Sequence, residues 1–410
     1  MSQAVLAGLV GRSERWMVEV EGGASDLRVS DLVQIARALE VDPADLLSGN
    51  CAAPAESAAA IRRARARAAR IERLSTGWGT IIGDVWFPWV VVSYGPYRHQ
   101  HIESHYHHEE PGYPPEIEET FQVLKDDIAQ RAAAGEDVPY DGDDYKLLRF
   151  HVSSRTRTVE EPKLVLHFGP TTYYRMLATD QRLDVPMTHA GRTFTLRERY
   201  AAGVDLRVTP VRELATHWGV GLVVVTADHM LLVPERGNTA VAPHVLFPSV
   251  AEGATRAMDA ASNGAPDHLR TAARGMEEEL GVPLRPEELT WLSFGTNPCM
   301  CDYSLIGRVD TPFTADEIER RRALGAAKDS WETKRLHRVP FTPHAVAEFC
   351  ANPERRLSAY ALISIVHTLM HEFGVAKTDA AFSGVKVAVA DRLPGSVDGS
   401  ALPHDRTPAD

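Results

Sequence analysis

RGMEEELGV, Arg274–Val282, is the stretch on which the reading of this 410-residue chain turns. It is read as the end of a helix stopped by Gly281, since glycine is the residue that most readily takes the left-handed conformation closing a helix. On a helix, residues three and four apart are neighbours, so positions 275, 278 and 279 share a face. Glu278 and Glu279 occupy two of the three, and Gly275 the other. Two carboxylates on one rigid face can hold a hard cation such as Mg²⁺ between themselves and the phosphate oxygens of a ligand. A glycine inside a helix costs roughly 1 kcal/mol relative to alanine, so Gly275 points to close packing of the backbone or close approach of a ligand.

The segment resembles the second half of the Nudix box, R-E-U-x-E-E-x-G-U with U aliphatic, preceded in that family by a glycine, five residues, a glutamate and seven more. Arg274, Met276, Glu278, Glu279, Gly281 and Val282 match it, whereas Gly275 stands where the family has its first helical glutamate. Counted back from Arg274, the upstream glutamate falls on Pro266 and the first glycine on Ala260. The reading that repairs this takes Glu252-Gly253 as the vestige of the first half and Ala254–Pro266 as an inserted loop. The resemblance implies a Nudix-like α/β/α sandwich over residues 213–375, ligand contacts from Arg274, Glu278 and Glu279, and Mg²⁺ on Glu278 and Glu279. It also implies weak or absent hydrolysis, because one carboxylate of the face is missing.

Around the box, GLVVVTADHMLLV (Gly221–Val233) is interrupted by Thr226, Asp228 and His229, which suits two buried strands rather than a membrane span. Strands are also expected at Trp291–Asn297 and Asp302–Val309, with Cys299-Met300-Cys301 as the loop joining them. FTPHAVAEFC and LSAYALISIVHTLMHEFG read as closing helices, and residues 376–410 as a C-terminal segment whose tail, after Asp391, is disordered.

The first fifty residues are read as short helices separated by glycines. Gln3–Val10 breaks at Gly11, Ser13 caps a helix running through Glu21, Ser30 caps another, and Asp42-Pro43 opens a fourth. The order SQAVLAGLVGRSERWMVEVEGG…SDLVQIARALEVDPADLL is similar to the helix-turn-helix of the Xre (Cro/CI-like) family. That resemblance implies an all-α DNA-binding module over residues 1–50. Gln3 would face a phosphate, Ser13, Glu14, Arg15 and Glu19 would project from the recognition helix, and Trp16 and Met17 would pack. The segment carries four basic and eight acidic residues, and phosphate neutralisation supplies much of the affinity for DNA. The Ala/Arg-rich helix of residues 51–76 is read as a solvated connector, the alternative being that it supplies phosphate contacts, from Arg63 and Arg67, or bridges two protomers.

Residues 77–212 read as an α+β region without a recognisable family. They comprise GDVWFPWVVVSYG, a helix near Pro115–Ala134, and the alternating pair KLLRFHVSS and PKLVLHFG. HQHIESHYHHEE (His99–Glu110) reads as a histidine-rich polar loop, the alternative being a Zn²⁺, Ni²⁺ or Cu²⁺ site. In PTTYYRMLAT, Thr171 is the expected helix cap, and Tyr173, Tyr174 and Arg175 are read as ordinary packing rather than a base-stacking corner.

The net charge of −12 excludes a chain that coats nucleic acid along its length. Four cysteines are too few for a disulfide framework. The N-terminus has neither a basic n-region nor a long apolar core, and no run approaches a membrane span, so the expectation is a cytoplasmic protein with no membrane partner. Together the two resemblances imply a ligand-responsive transcriptional regulator. It would be a homodimer on a palindromic operator, with a Nudix-like domain that senses a nucleotide or nucleoside-diphosphate derivative. The alternative is a Mg²⁺-dependent Nudix hydrolase carrying an accessory helix-turn-helix.

Overall fold

Trp218–Val225 is an interior strand of the main sheet and shows why the described residues fold in layers. Its residues are buried along its whole length, and because side chains alternate across a strand they feed two separate cores. Val220, Leu222 and Val224 pack with Ala272, Met276 and Leu280 of the helix His268–Leu280. Val223 and Val225 pack with Leu362, Ile363 and Val366 of the helix Ala359–Phe373. The sheet thus has one helix on each face.

The computed structural model describes residues 79–391 except 111, 137, 154–162 and 239–241, together with residues 6, 7, 10, 12–21, 31, 32 and 34–36. Its described part is an α+β fold with several sheets. The main sheet has ten strands. From one edge these run Ala388–Val389, Arg356–Leu357, Val245–Leu246, Met230–Arg236, Trp218–Val225, Asp302–Asp310, Leu289–Asn297 and Val90–Tyr97. Val250–Gly253 pairs antiparallel with Trp218–Val225, and Thr333–Pro340 antiparallel with Met230–Arg236. Asp302–Asp310 runs parallel to Trp218–Val225, so the sheet is mixed.

Strand Val90–Tyr97 pairs with Leu289–Asn297, so residues 77–212 and 213–375 share a sheet. They share a core as well. A second sheet, Ile102–Tyr106, Lys163–Thr172 and Asp143–Ser153 in the order 102–106, 163–172, 143–153, lays Leu164, Leu166, Phe168, Tyr145 and Leu147 against Trp218 and the helix His268–Leu280. The pairing of Asp143–Ser153 with Lys163–Thr172 and the helix Pro115–Ala133 agree with the alternation and periodicity of the sequence. So does the turn Pro298–Cys301 between two strands, in which the amides of Met300 and Cys301 donate to the Asn297 carbonyl.

Two local expectations are corrected. His99–Glu110 is not a loop: after a short 3-10 turn, Ile102–Tyr106 is a strand parallel to Lys163–Thr172. Its Ile102 is buried in the core, while His105 stacks on His167 at 4.9 Å between ring centroids. The helix cap is Thr172, whose hydroxyl accepts from the Arg175 amide, whereas Thr171 is buried beside the Tyr113 hydroxyl.

In the N-terminal segment, Glu14–Glu21 is helical and the Ser13 hydroxyl accepts from the Trp16 amide at 3.0 Å. Met17 is buried with Leu6, Ala7, Val10 and Ile35, and Trp16 packs against that group. The expected linker helix of residues 51–76 and the tail from 392 lie outside the described residues. Among the described residues no helix is long and apolar enough to cross a membrane.

Candidate functional site

The helix His268–Leu280 begins at Asp267, whose side chain accepts from the amides of Leu269 and Arg270, and ends at Gly281 with φ 70°. It lies across the strand Val250–Gly253, and Gly275 makes that approach possible. A Cβ at position 275 would stand 2.5 Å from Val250 Cγ1 and 3.2 Å from Glu252 Cβ. The glycine thus holds helix and strand at a distance no side chain permits. Val250 and Glu252 are two residues apart and so point the same way, which turns the Glu252 carboxylate toward the helix.

Arg274 gathers the acidic residues of this corner. Its Nη1 donates to Glu252 at 2.8 Å and to Glu278 at 3.0 Å. Its Nε and Nη2 form a fork on Asp259 at 3.1 and 2.7 Å, and Nη2 also donates to the Gly253 carbonyl at 2.8 Å. Asp259 is wholly buried. A bidentate arginine–carboxylate pair of this kind fixes geometry as well as charge. Glu279 faces another direction, its Oε1 accepting from the Ala251 amide at 3.0 Å.

Burial dominates the proton affinities of this corner. Burial raises the Glu252 carboxyl to about 7, against the pull of Arg274, with Glu278 and Asp259 adding to the rise. Burial, then the neighbouring Glu252, raises Glu279 to about 8, partly opposed by the Ala251 amide. Arg274 is held firmly protonated, although burial works against it, by Asp259 and Glu252.

The stretch expected as an inserted loop, Ala254–Pro266, is one only in part. Residues 254–259 carry Asp259 into the cluster, and the excursion is residues 260–266. Its base is pinched by the Asp267 amide donating to the Asp259 carbonyl at 2.8 Å, by an Ala260–Pro266 bridge, and by the Ala261 amide on the Ala265 carbonyl. Its tip docks on the second sheet. Asn263 Nδ2 donates to the Ser104 carbonyl at 3.0 Å, and the Tyr145 hydroxyl to the Gly264 carbonyl at 2.9 Å.

The expected ligand residues Arg274, Glu278 and Glu279 therefore lie together, joined by Asp259, which sequence reading passed over, and by Glu252, which it took only as a vestige. Among the described residues no three His, Cys, Asp or Glu side chains are set to hold one ion, and Glu278 is engaged by Arg274. The residues expected to meet DNA are only partly described. Arg15 is exposed and pairs with Glu19 at 2.7 Å, Ser13 caps the helix that contains Glu14, and Gln3, Arg63 and Arg67 lie outside the described residues.

No family model matches this chain, and no curated protein matches it. Eighteen chains of solved structures match. One is DR0079 from Deinococcus radiodurans, 16% identical over 36% of this chain and 80% of that one, with a TM-score of 0.26.

Proposed function

We propose that residues 213–375 form a Nudix-like α/β/α sandwich that binds a nucleotide or nucleoside-diphosphate derivative and turns it over poorly. The chain as a whole then acts as a ligand-responsive regulator, with an Xre-type helix-turn-helix over residues 1–50 contacting an operator as a homodimer. The observation that carries the reading is the spacing left once the pinched loop is set aside. Gly253, five residues and Asp259 are followed, without residues 260–266, by seven residues and then Arg274. That is the spacing of the whole box, with aspartate for its first glutamate. Gly275 supports binding over turnover, because the carboxylate absent there cannot be supplied by a side chain at that position. Mg²⁺ on Glu278 and Glu279 belongs to the liganded form of this reading, since Arg274 has to release Glu278 before that carboxylate can take another cation.

The hydrolase reading keeps one observation in its favour. A Glu252 carboxyl oxygen lies 3.4 Å from where a side chain at 275 would begin, so a strand carboxylate borders the face left bare on the helix. Thermal-shift titration with a nucleotide panel, with and without Mg²⁺, tests binding, because a ligand of the folded state raises apparent stability by mass action. Phosphate release in the same samples separates the two readings. A flat response across the panel counts against both.

A further inference from the structure

Away from the carboxylate corner, a cleft of about 630 Å³ opens along the strand Thr333–Pro340, which among the described residues pairs on one side only, with Met230–Arg236. The end of the helix Ala315–Ala323 forms one wall, and the segment that follows the helix Pro343–Cys350 forms the other. Arg322, Lys334, Arg335, Arg338, Arg355 and His337 line it, against the single acidic residue Glu319.

Some of this charge is spoken for. Lys334 pairs with Glu235 at 2.8 Å, and Arg338 pairs with Asp316 and Glu319. Lysines and arginines on an edge strand also discourage pairing with other chains, which accounts for Lys334 and Arg338. It does not account for Arg322 and Arg355, which arrive from separate segments to line the same cleft as Arg335. Among the described residues none of these three has a carboxylate partner. Arg322 donates to the Glu279 carbonyl at the end of the box helix. Arg355 donates to the Phe349 carbonyl at 3.0 Å, with its guanidinium 4.1 Å over the Phe349 ring. That stacking fixes one face of the fork while its charge stays uncompensated. His337 is 9% exposed and its Nε2 has no hydrogen-bond partner, the nearest carboxylate oxygen, on Glu235, being 3.6 Å away. A buried polar atom left unsatisfied is costly, and a ligand oxygen would relieve it.

We propose that this cleft is a metal-independent site for the phosphates of a small diphosphate-bearing ligand, gripped by Arg322, Arg335 and Arg355 with His337 at its floor. Planar guanidinium forks match phosphate oxygens two at a time, and three of them exceed what one monophosphate needs. The proposal goes beyond the nucleotide reading above, since it requires neither the carboxylate corner nor Mg²⁺. Arg322 ties the cleft to the end of the helix His268–Leu280 through the Glu279 carbonyl.

The test is calorimetric titration of the full chain with inorganic pyrophosphate in EDTA. Saturable binding that weakens with salt is expected. Arg335 is exposed and among the described residues has no ion pair, so Arg335→Ala should be tolerated by the fold and should lower affinity about tenfold, in line with loss of one charge-assisted contact. Arg355→Lys keeps the charge but not the fork and should weaken binding further in combination. Lys125→Ala, on the exposed face of the helix Pro115–Ala133 away from the cleft, should leave it unchanged. Absence of binding in EDTA, or equal affinity in the arginine variants, overturns the proposal. Mg²⁺-dependent nucleotide binding that Glu278→Gln abolishes and Arg335→Ala spares would retain the nucleotide reading and reject this one. EDTA-resistant pyrophosphate binding with no response to any nucleotide would do the reverse.

Discussion

Filling the glycine of the box helix is the perturbation whose cost the geometry fixes best. Gly275→Ala removes the helix-interior penalty of glycine, a gain of roughly 1 kcal/mol in an unobstructed helix. Here the added methyl would sit 2.5 Å from Val250 Cγ1 and 3.2 Å from Glu252 Cβ, both on a strand tied into the main sheet. Overpacking of this kind costs typically 1–3 kcal/mol, so the net expectation is a loss of about 1 kcal/mol. Gly275→Glu brings in the same clash and adds a carboxylate beside Glu252, whose carboxyl oxygen already lies 3.4 Å from that Cβ position. It should therefore lose more, about 3 kcal/mol or above, instead of rebuilding a three-carboxylate face. Urea denaturation of the two variants, with Val250→Ala and the double variant Val250→Ala/Gly275→Ala to close a cycle, measures it. Removing Val250 Cγ1 should recover about 1 kcal/mol as a coupling between the two sites. A Gly275→Ala protein more stable than wild type by the full propensity gain, with additive behaviour in the cycle, would refute the close-packing argument.

Other expectations follow from the same residues. The raised carboxyls of Glu252 and Glu279 bind protons more readily in the folded state than in the unfolded one. Stability should therefore fall as pH rises from the unfolded value near 4.5 through about 7 and 8, with a slope of up to about 1.4 kcal/mol per unit for each; pH-dependent denaturation of Glu279→Gln should show the shallower fall. Arg274→Met leaves Asp259 and Glu252 buried without a cation and should cost about 3–5 kcal/mol, read as a lowered urea midpoint that partly recovers at acid pH. Deleting residues 260–266 removes the two hydrogen bonds to the second sheet, about 1–3 kcal/mol, yet should leave the Arg274 cluster assembled, as seen in retained ligand response. For DNA, Arg15→Ala breaks the exposed pair with Glu19, worth about 0.3–0.5 kcal/mol. It should cost about 1–3 kcal/mol of base discrimination, while Arg63→Ala and Arg67→Ala flatten the salt dependence without changing preference, both measured by fluorescence anisotropy on promoter fragments.

What could be read in advance was whatever a local pattern determines. The stop at Gly281, the break at Thr226–His229 and the turn at Cys299–Cys301 all rest on residues that act within one or two positions, and each holds. The strand Ile102–Tyr106 was not legible, because its outward residues are charged or imidazole and inward Ser104 is polar, leaving no clean apolar alternation. Thr333–Pro340 was hidden in the same way by Lys334, Arg335 and Arg338, as an edge strand that faces a charged cleft would be. Asp259 was missed for a different reason. Its distance from Arg274 makes sense only once the Asp259 carbonyl is seen bonded to the Asp267 amide, and that closure is a tertiary fact no spacing rule supplies. The meaning of Gly275 was half visible, as close packing, but the partner, Val250, was not.

Binding of a nucleoside diphosphate derivative without its cleavage separates a sensor from a hydrolase. Phosphorus NMR of the full chain with such a ligand and Mg²⁺, run beside Glu279→Gln, follows both events in one sample. The prediction is ligand resonances shifted and broadened by binding, with little or no growth of product signals over hours. Rapid, Mg²⁺-dependent appearance of phosphate or nucleoside monophosphate in the unmodified protein, lost in Glu279→Gln, would contradict it and make the chain a hydrolase.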